Sequence, residues 1–132
     1  MNRLHIPAVL ATAVLIAMPL AQAQFGPQNR YSPDAVTTLI DRVHEDLNHA
    51  YGAWHFSDSD RDRLNHSEKE LREFAQKWSK AKFDKSELDD AIGAMQDVLD
   101  HNKLPPVNRD ALSDDITQLR NMRAAYDHHE IG

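Results

Sequence analysis

Residues 84–106 read DKSELDDAIGAMQDVLDHNKLPP, and this stretch decides the fold. Leu88, Ala91, Ile92, Met95, Val98 and Leu99 recur at spacings of three and four. An α-helix turns once every ~3.6 residues, so these side chains share one face. Asp84 with Glu87 three residues on reads as a variant of the capping box, which satisfies the free N–H groups of a first turn. His101-Asn102 closes the segment, and Leu104-Pro105-Pro106 forbids its continuation. Proline has no N–H to give, and its ring clashes with the preceding turn. Start signal, stripe and stop signal all agree on one helix.

The same signals recur on either side. Ser32-Pro33-Asp34 offers a capping serine, a proline at the first helical position and an acid in the first turn. Behind it Val36, Leu39, Ile40, Val43, Leu47, Ala50, Tyr51 and Trp54 form a stripe, weakened by Gly52 near its end. Ser57-Asp58-Ser59-Asp60 ends that helix and supplies caps for the next. The second helix places Leu64, Leu71, Phe74, Ala75, Trp78 and Ala81 on one face and stops near Phe83, with Ser67 where the stripe wants an apolar residue. A fourth helix, capped by Asn108, carries Leu112, Ile116, Leu119, Met122 and Tyr126. Trp54, Trp78, Tyr51 and Tyr126 are expected in the core.

No run alternates with period two, so no strand is expected. Four amphipathic helices with short links bury their stripes only against one another. The expected fold is all-α: a small antiparallel four-helix bundle in up-down-up-down order. Three longer helices in a looser array are the rival if residues 53–63 are irregular.

The first residues belong to something else. Met1 to Pro7 carries Arg3, Ala8 to Leu20 is apolar, and Ala21-Gln22-Ala23 is an A-x-A pattern. That is the order of a secretory signal peptide, cut between Ala23 and Gln24. The apolar run is too short for a lasting span, which wants about 20 residues. No cysteine is present to take a lipid. The division is a signal peptide over 1–23, a flexible arm over 24–31 with Gly26, Pro27 and Asn29, and a single helical-bundle domain over 32–132. The expected location is periplasmic or secreted, with no membrane anchor after cleavage.

Cleavage removes one base, Arg3, and no acid, so the net charge moves from −6 to −7. A protein of that sign repels phosphate backbones, which argues against a nucleic-acid partner. With no cysteine in its 132 residues, the chain must be held by an apolar core rather than by disulfides.

Most acids read as architecture. Asp58, Asp60 and Asp62 open the second helix; Asp84, Glu87, Asp89 and Asp90 the third; Asp110, Asp114 and Asp115 the fourth. Carboxylates there meet unpaired N–H groups and the positive dipole end. Lys77, Lys80, Lys82 and Lys85 cluster around the end of the second helix, the complementary place. Glu68/Arg72 and Glu73/Lys77 have the favoured order of an i,i+4 ion pair.

Known metal patterns fail on spacing. Asp58-x-Asp60-x-Asp62 begins like a calcium loop, but Arg63 and Lys69 stand where an EF-hand needs glycine and glutamate. His44 and His49 are five apart, which turns them away from each other on a helix, so they make no zincin pair. Glu-x-x-His pairs of di-iron bundles are absent. One constellation remains. In an up-down bundle His55, His66 and His101 fall towards one pole, with Asp58, Asp60 and Asp62 nearby. Imidazoles with carboxylates suit zinc, nickel or copper. No other cofactor is implied. G-x-S-x-G and cysteine nucleophiles are missing, and serines fall where caps belong: Ser32, Ser59, Ser86 and Ser113.

The leading expectation is therefore an exported, non-enzymatic bundle acting through protein contacts, with a protein partner or a second copy of itself. A metal-binding or metal-buffering bundle at the histidine-rich pole is the alternative, and a small hydrolase the third.

Overall fold

A computed structural model describes residues 31–52 and 57–131. The leader, the arm up to Arg30, Trp54 and His55 lie outside the described residues. Four helices account for nearly all of the described chain: α1 (Pro33–Gly52), α2 (Asp58–Ser79), α3 (Lys85–His101) and α4 (Pro106–Asp127). No strand occurs among the described residues. Each helix packs on its neighbours in sequence, α4 returns to pack on α1, and the diagonal pairs stay apart.

Side-chain contacts give the directions. Lys77 at the end of α2 reaches Asp84 and Glu87 at the start of α3, while Arg63 near the start of α2 reaches Asn102 just past the end of α3. Thr37 faces Trp78 and His44 faces Glu68 across α1 and α2. Arg120 meets Gln96 and Arg123 meets Asp89 across α4 and α3. In every case the numbers rise on one helix as they fall on the other, so these neighbours run antiparallel.

The stripes form the core. Val36, Val43, Leu47, Leu64, Leu71, Phe74, Leu88, Met95, Val98, Leu112, Leu119 and Met122 are fully buried. Fully burying such a side chain contributes roughly 1.5–3 kcal/mol. Tyr31, assigned to the arm by the sequence, is buried at 8% exposure against this cluster. Tyr51, expected in the core, is 45% exposed. Ala50 takes the inward position of that turn, and Tyr51 stands one helical step further round.

Helix ends depart from expectation in four places. α2 stops at Ser79 rather than near Phe83. Ala81 N–H bonds Trp78 C=O and Lys82 N–H bonds Lys77 C=O, with Ala81 left-handed at φ 59°. This is a Schellman turn closed by alanine where glycine is usual, so no sequence signal marks it. Ala81 is consequently exposed, outside the stripe. α2 is capped by Ser57, whose hydroxyl accepts from Asp60 N–H, and not by Ser59. α3 is capped by Asp84 as its spacing to Glu87 indicates, the side chain accepting from Ser86 and Glu87 N–H, whereas Ser86 is inside the helix and caps nothing. α4 begins at Pro106 with no side-chain cap, so Asn108 is not its cap. A proline at the first position lacks the orphan donor and already has helical φ. Ser32 does cap α1, accepting from Ala35 N–H at 3.3 Å.

Candidate functional site

The start of α2 and the end of α3 meet, as the proposed histidine pole requires, but a different network holds them together. Asn102, 5% exposed, accepts from Arg63 Nε at 2.6 Å and donates to the Asp60 carbonyl at 3.0 Å. Arg63 also grips the Asp60 carboxylate at 2.5 Å. The cation that neutralises Asp60 is thus a guanidinium from the chain itself. His101 Nδ1 lies on its own helix, 3.1 Å from the Asp97 carbonyl. His66 sits 3.6 Å from Glu70. Asp58 and Asp62 are exposed, and His55 is outside the described residues.

Among the described residues, the group of three metal-capable side chains whose ligand atoms converge is Glu70, Glu73 and Glu87, not the histidine–aspartate set. Each of these glutamates already faces a basic side chain: His66, Lys69 and Lys77 respectively. Lys77 bridges Glu87 at 3.1 Å and Asp84 at 2.7 Å. Hydrogen bonds to both carboxylates raise the Lys77 pKa, and the same contact with Lys77 lowers that of Asp84. The expected Glu73/Lys77 pair gives way to this link between helices.

The opposite pole, where α1 begins and α2 and α4 end, carries an aromatic groove. Phe83, on the short link after α2, inserts between three rings. It meets Phe74 edge-on at 5.2 Å and Trp78 edge-on at 6.1 Å, and stacks on Tyr126 at 4.4 Å. Phe74 is fully buried, whereas Trp78, Phe83 and Tyr126 are only half-buried. An aromatic line therefore runs from the core to the surface. It opens into a cavity of about 720 Å³ lined by Pro33, Thr37, Trp78, Ser79, Ala81, Lys82, Phe83, Tyr126 and Ile131. Trp78 is fixed in the wall by its indole N–H, which donates to Thr37 Oγ1 at 3.3 Å. The early Schellman stop at Ala81 shapes the site, because it frees Phe83 from the helix to turn inward.

Two further polar features lie on the seams of α1. Towards α4, Asp115 is 1% exposed, on the apolar stripe rather than at the helix start where its sequence neighbourhood suggested. Its Oδ1 accepts from Arg42 Nε at 3.1 Å and Nη2 at 3.0 Å, and its Oδ2 is buried with no hydrogen-bond partner. Burial, then the neighbouring Asp46 carboxylate, push the Asp115 carboxyl up from 3.8 to about 7, against the opposing pull of Arg42. Towards α2, His44 Nδ1 is 2.7 Å from Glu68 Oε2, and Asn48 Nδ2 is 3.3 Å from His44 Nε2.

No protein-family model, curated protein or solved structure matches the chain. What the site does must be argued from its own residues.

Proposed function

We propose that the protein is an exported, non-enzymatic up-down-up-down bundle that works by contact with another protein, and that the aromatic groove is the contact surface. The observation that carries this reading is the line Phe74–Phe83–Trp78–Tyr126, whose outer members stay half-exposed around a cavity of about 720 Å³. Half-exposed aromatic rings in a concave setting give large contact area at little entropic cost and are the usual anchors of protein contacts. Export is supported by the charged, apolar and A-x-A order of residues 1–23. Location in the periplasm or outside the cell follows from it. No helix among the described residues is long and apolar enough to cross a membrane.

The catalytic alternative has less behind it. His44 is the histidine best placed beside a carboxylate, but Asn48 caps its outward nitrogen. An imidazole with both nitrogens engaged is not free to take a proton from substrate.

Gel filtration of the cell fraction that holds the protein tests the reading. The natural chain should elute above its monomer position, as a complex. Ser79→Glu with Lys82→Glu, two exposed positions on the groove, should return it to the monomer position. Thr117→Glu, exposed on α4 outside the groove lining, should leave the complex intact. A monomer in all three cases would contradict the proposal.

A further inference from the structure

We propose that the aromatic groove of one molecule takes the Pro106–Val107 ridge of a second copy, so that the bundles join head to tail. This rests on the reading of the groove as the contact surface and names its occupant. The pole opposite the groove carries apolar surface that the core does not use. Leu104, Pro105, Pro106 and Val107 follow one another from the link after α3 into α4. Leu104 packs partly on the core, whereas Pro106 is exposed and Val107 is 73% exposed. Pro105 has φ −54° and ψ 145°, close to polyproline II geometry. Two proline rings fix this backbone before any contact, so docking freezes little new motion. Aromatic-lined grooves receive such segments, because ring faces stack on prolyl and aliphatic surface. Trp78, Phe83 and Tyr126 supply those rings.

Charge fits as well. Asp110 and Asp114 follow Val107 by three and seven residues, so the three share one face of α4. Both acids are exposed, and neither carboxylate makes an ion pair or hydrogen bond among the described residues. Arg109 lies about 200° round the helix from Val107, off that face. At the groove, Lys82 stands in the lining with Lys80 beside it. Both are exposed, and neither ammonium has an ion pair or hydrogen bond among the described residues. Lys77, by contrast, is held by Asp84 and Glu87. An apolar tip followed by two acids thus matches an aromatic groove edged by two bases. The net charge of −6 keeps copies apart in other orientations, so unlike charges select this one.

A molecule cannot fill its own groove. At 1.5 Å per residue, Val107 and Tyr126 stand about 28 Å apart along α4. The contact therefore joins two copies through unlike surfaces, and each added copy brings a fresh groove and a fresh ridge. Contacts of this kind build open chains or rings, not a two-fold dimer.

Sedimentation velocity of the purified protein at rising concentration tests this. The natural chain should show species larger than the monomer that grow with concentration. Val107→Glu, which spoils the ridge, should give a monomer, and so should Ser79→Glu with Lys82→Glu, which spoil the groove. Mixed one to one, the two variant proteins should form a dimer and nothing larger, since each such pair holds a single intact ridge and a single intact groove. Val107 is exposed in the first turn of α4, where an acid suits the helix dipole, so Val107→Glu folds normally. A one-to-one mixture without dimer would overturn the proposal. So would a Val107→Glu protein that assembles like the natural one; if the groove variant is then monomeric, the groove keeps its role and another occupant fills it. A purified natural chain that is monomeric at every concentration also overturns the head-to-tail contact, and its elution as a complex from the cell fraction would pass the groove to a different protein.

Discussion

Two residues hold backbone conformations that their side chains disfavour. Ala81 and His129 are left-handed, at φ 59° and 58°, and each closes a Schellman turn, after α2 and after α4. In the second, His129 N–H bonds Tyr126 C=O and Glu130 N–H bonds Ala125 C=O. A Cβ is penalised in that region and glycine is not. Ala81→Gly and His129→Gly should each stabilise the fold by about 0.5–1 kcal/mol in urea melts, and a loss of stability would deny the left-handed turns. Because neither residue is glycine, neither helix end was legible in the sequence. The burial of Asp115 was. It lies three residues after Leu112 and four before Leu119, on the stripe itself, although Asp110 and Asp114 beside it give the segment the look of an acidic helix start. Trp78 is half-buried and also lines the groove, so Trp78→Ala should cost less than the 3–5 kcal/mol of a full core aromatic, about 2 kcal/mol.

At the level of the element, α3 was the most legible helix and α2 the least. Every stripe residue read for α3 is buried, from Leu88 to Leu99, because its cap, its period and its stop are all local. Gly93 sits on its exposed side, with nothing within 4 Å of an added Cβ. Glycine inside a helix costs roughly 1 kcal/mol relative to alanine. Gly93→Ala should therefore raise stability by about that amount on thermal melting, and no gain would mean that α3 is not a regular helix at that turn. The α2–α3 seam is pinned at both ends, by Lys77 with Asp84 and Glu87, and by Asn102 with Arg63 and the Asp60 carbonyl. Asn102→Ala removes the acceptor of Arg63 Nε and a donor to the Asp60 carbonyl at once, although Arg63 keeps its pair with the Asp60 carboxylate. It should cost on the order of 2 kcal/mol and speed amide exchange in the first turns of α2. None of these partners could be read in advance, because they depend on how two helices slide past each other.

Across the whole molecule, helix number and stripe direction followed from local signals, while the sites formed between helices did not. The histidine–aspartate pole rests on the placing of helix ends alone. Its ends do meet, yet Arg63 and Asn102 occupy the junction, and which side chain fills a junction is set by register that periodicity does not specify. The α1–α4 seam gives the molecule an unusual response to pH. Asp115 titrates near 7 in the fold and near 3.8 when unfolded, so between those values the folded chain holds the extra proton. Stability from this group is complete at acid pH, falls as pH rises from about 4 to 7, and levels off above. Asp115→Asn should flatten that slope in denaturant melts, by up to about 4 kcal/mol between the two ends, and parallel curves would refute the raised Asp115 carboxyl.

The contact surface at the aromatic pole is tested most directly by site-specific photo-crosslinking in the producing cell. A photoreactive residue at Lys82, on the groove, is compared with one at Thr117, on the outer side of α4. The groove reading requires a discrete protein adduct from position 82 that disappears when Ser79→Glu is added, and none from position 117. Equal labelling from both positions, or none from either, would contradict it.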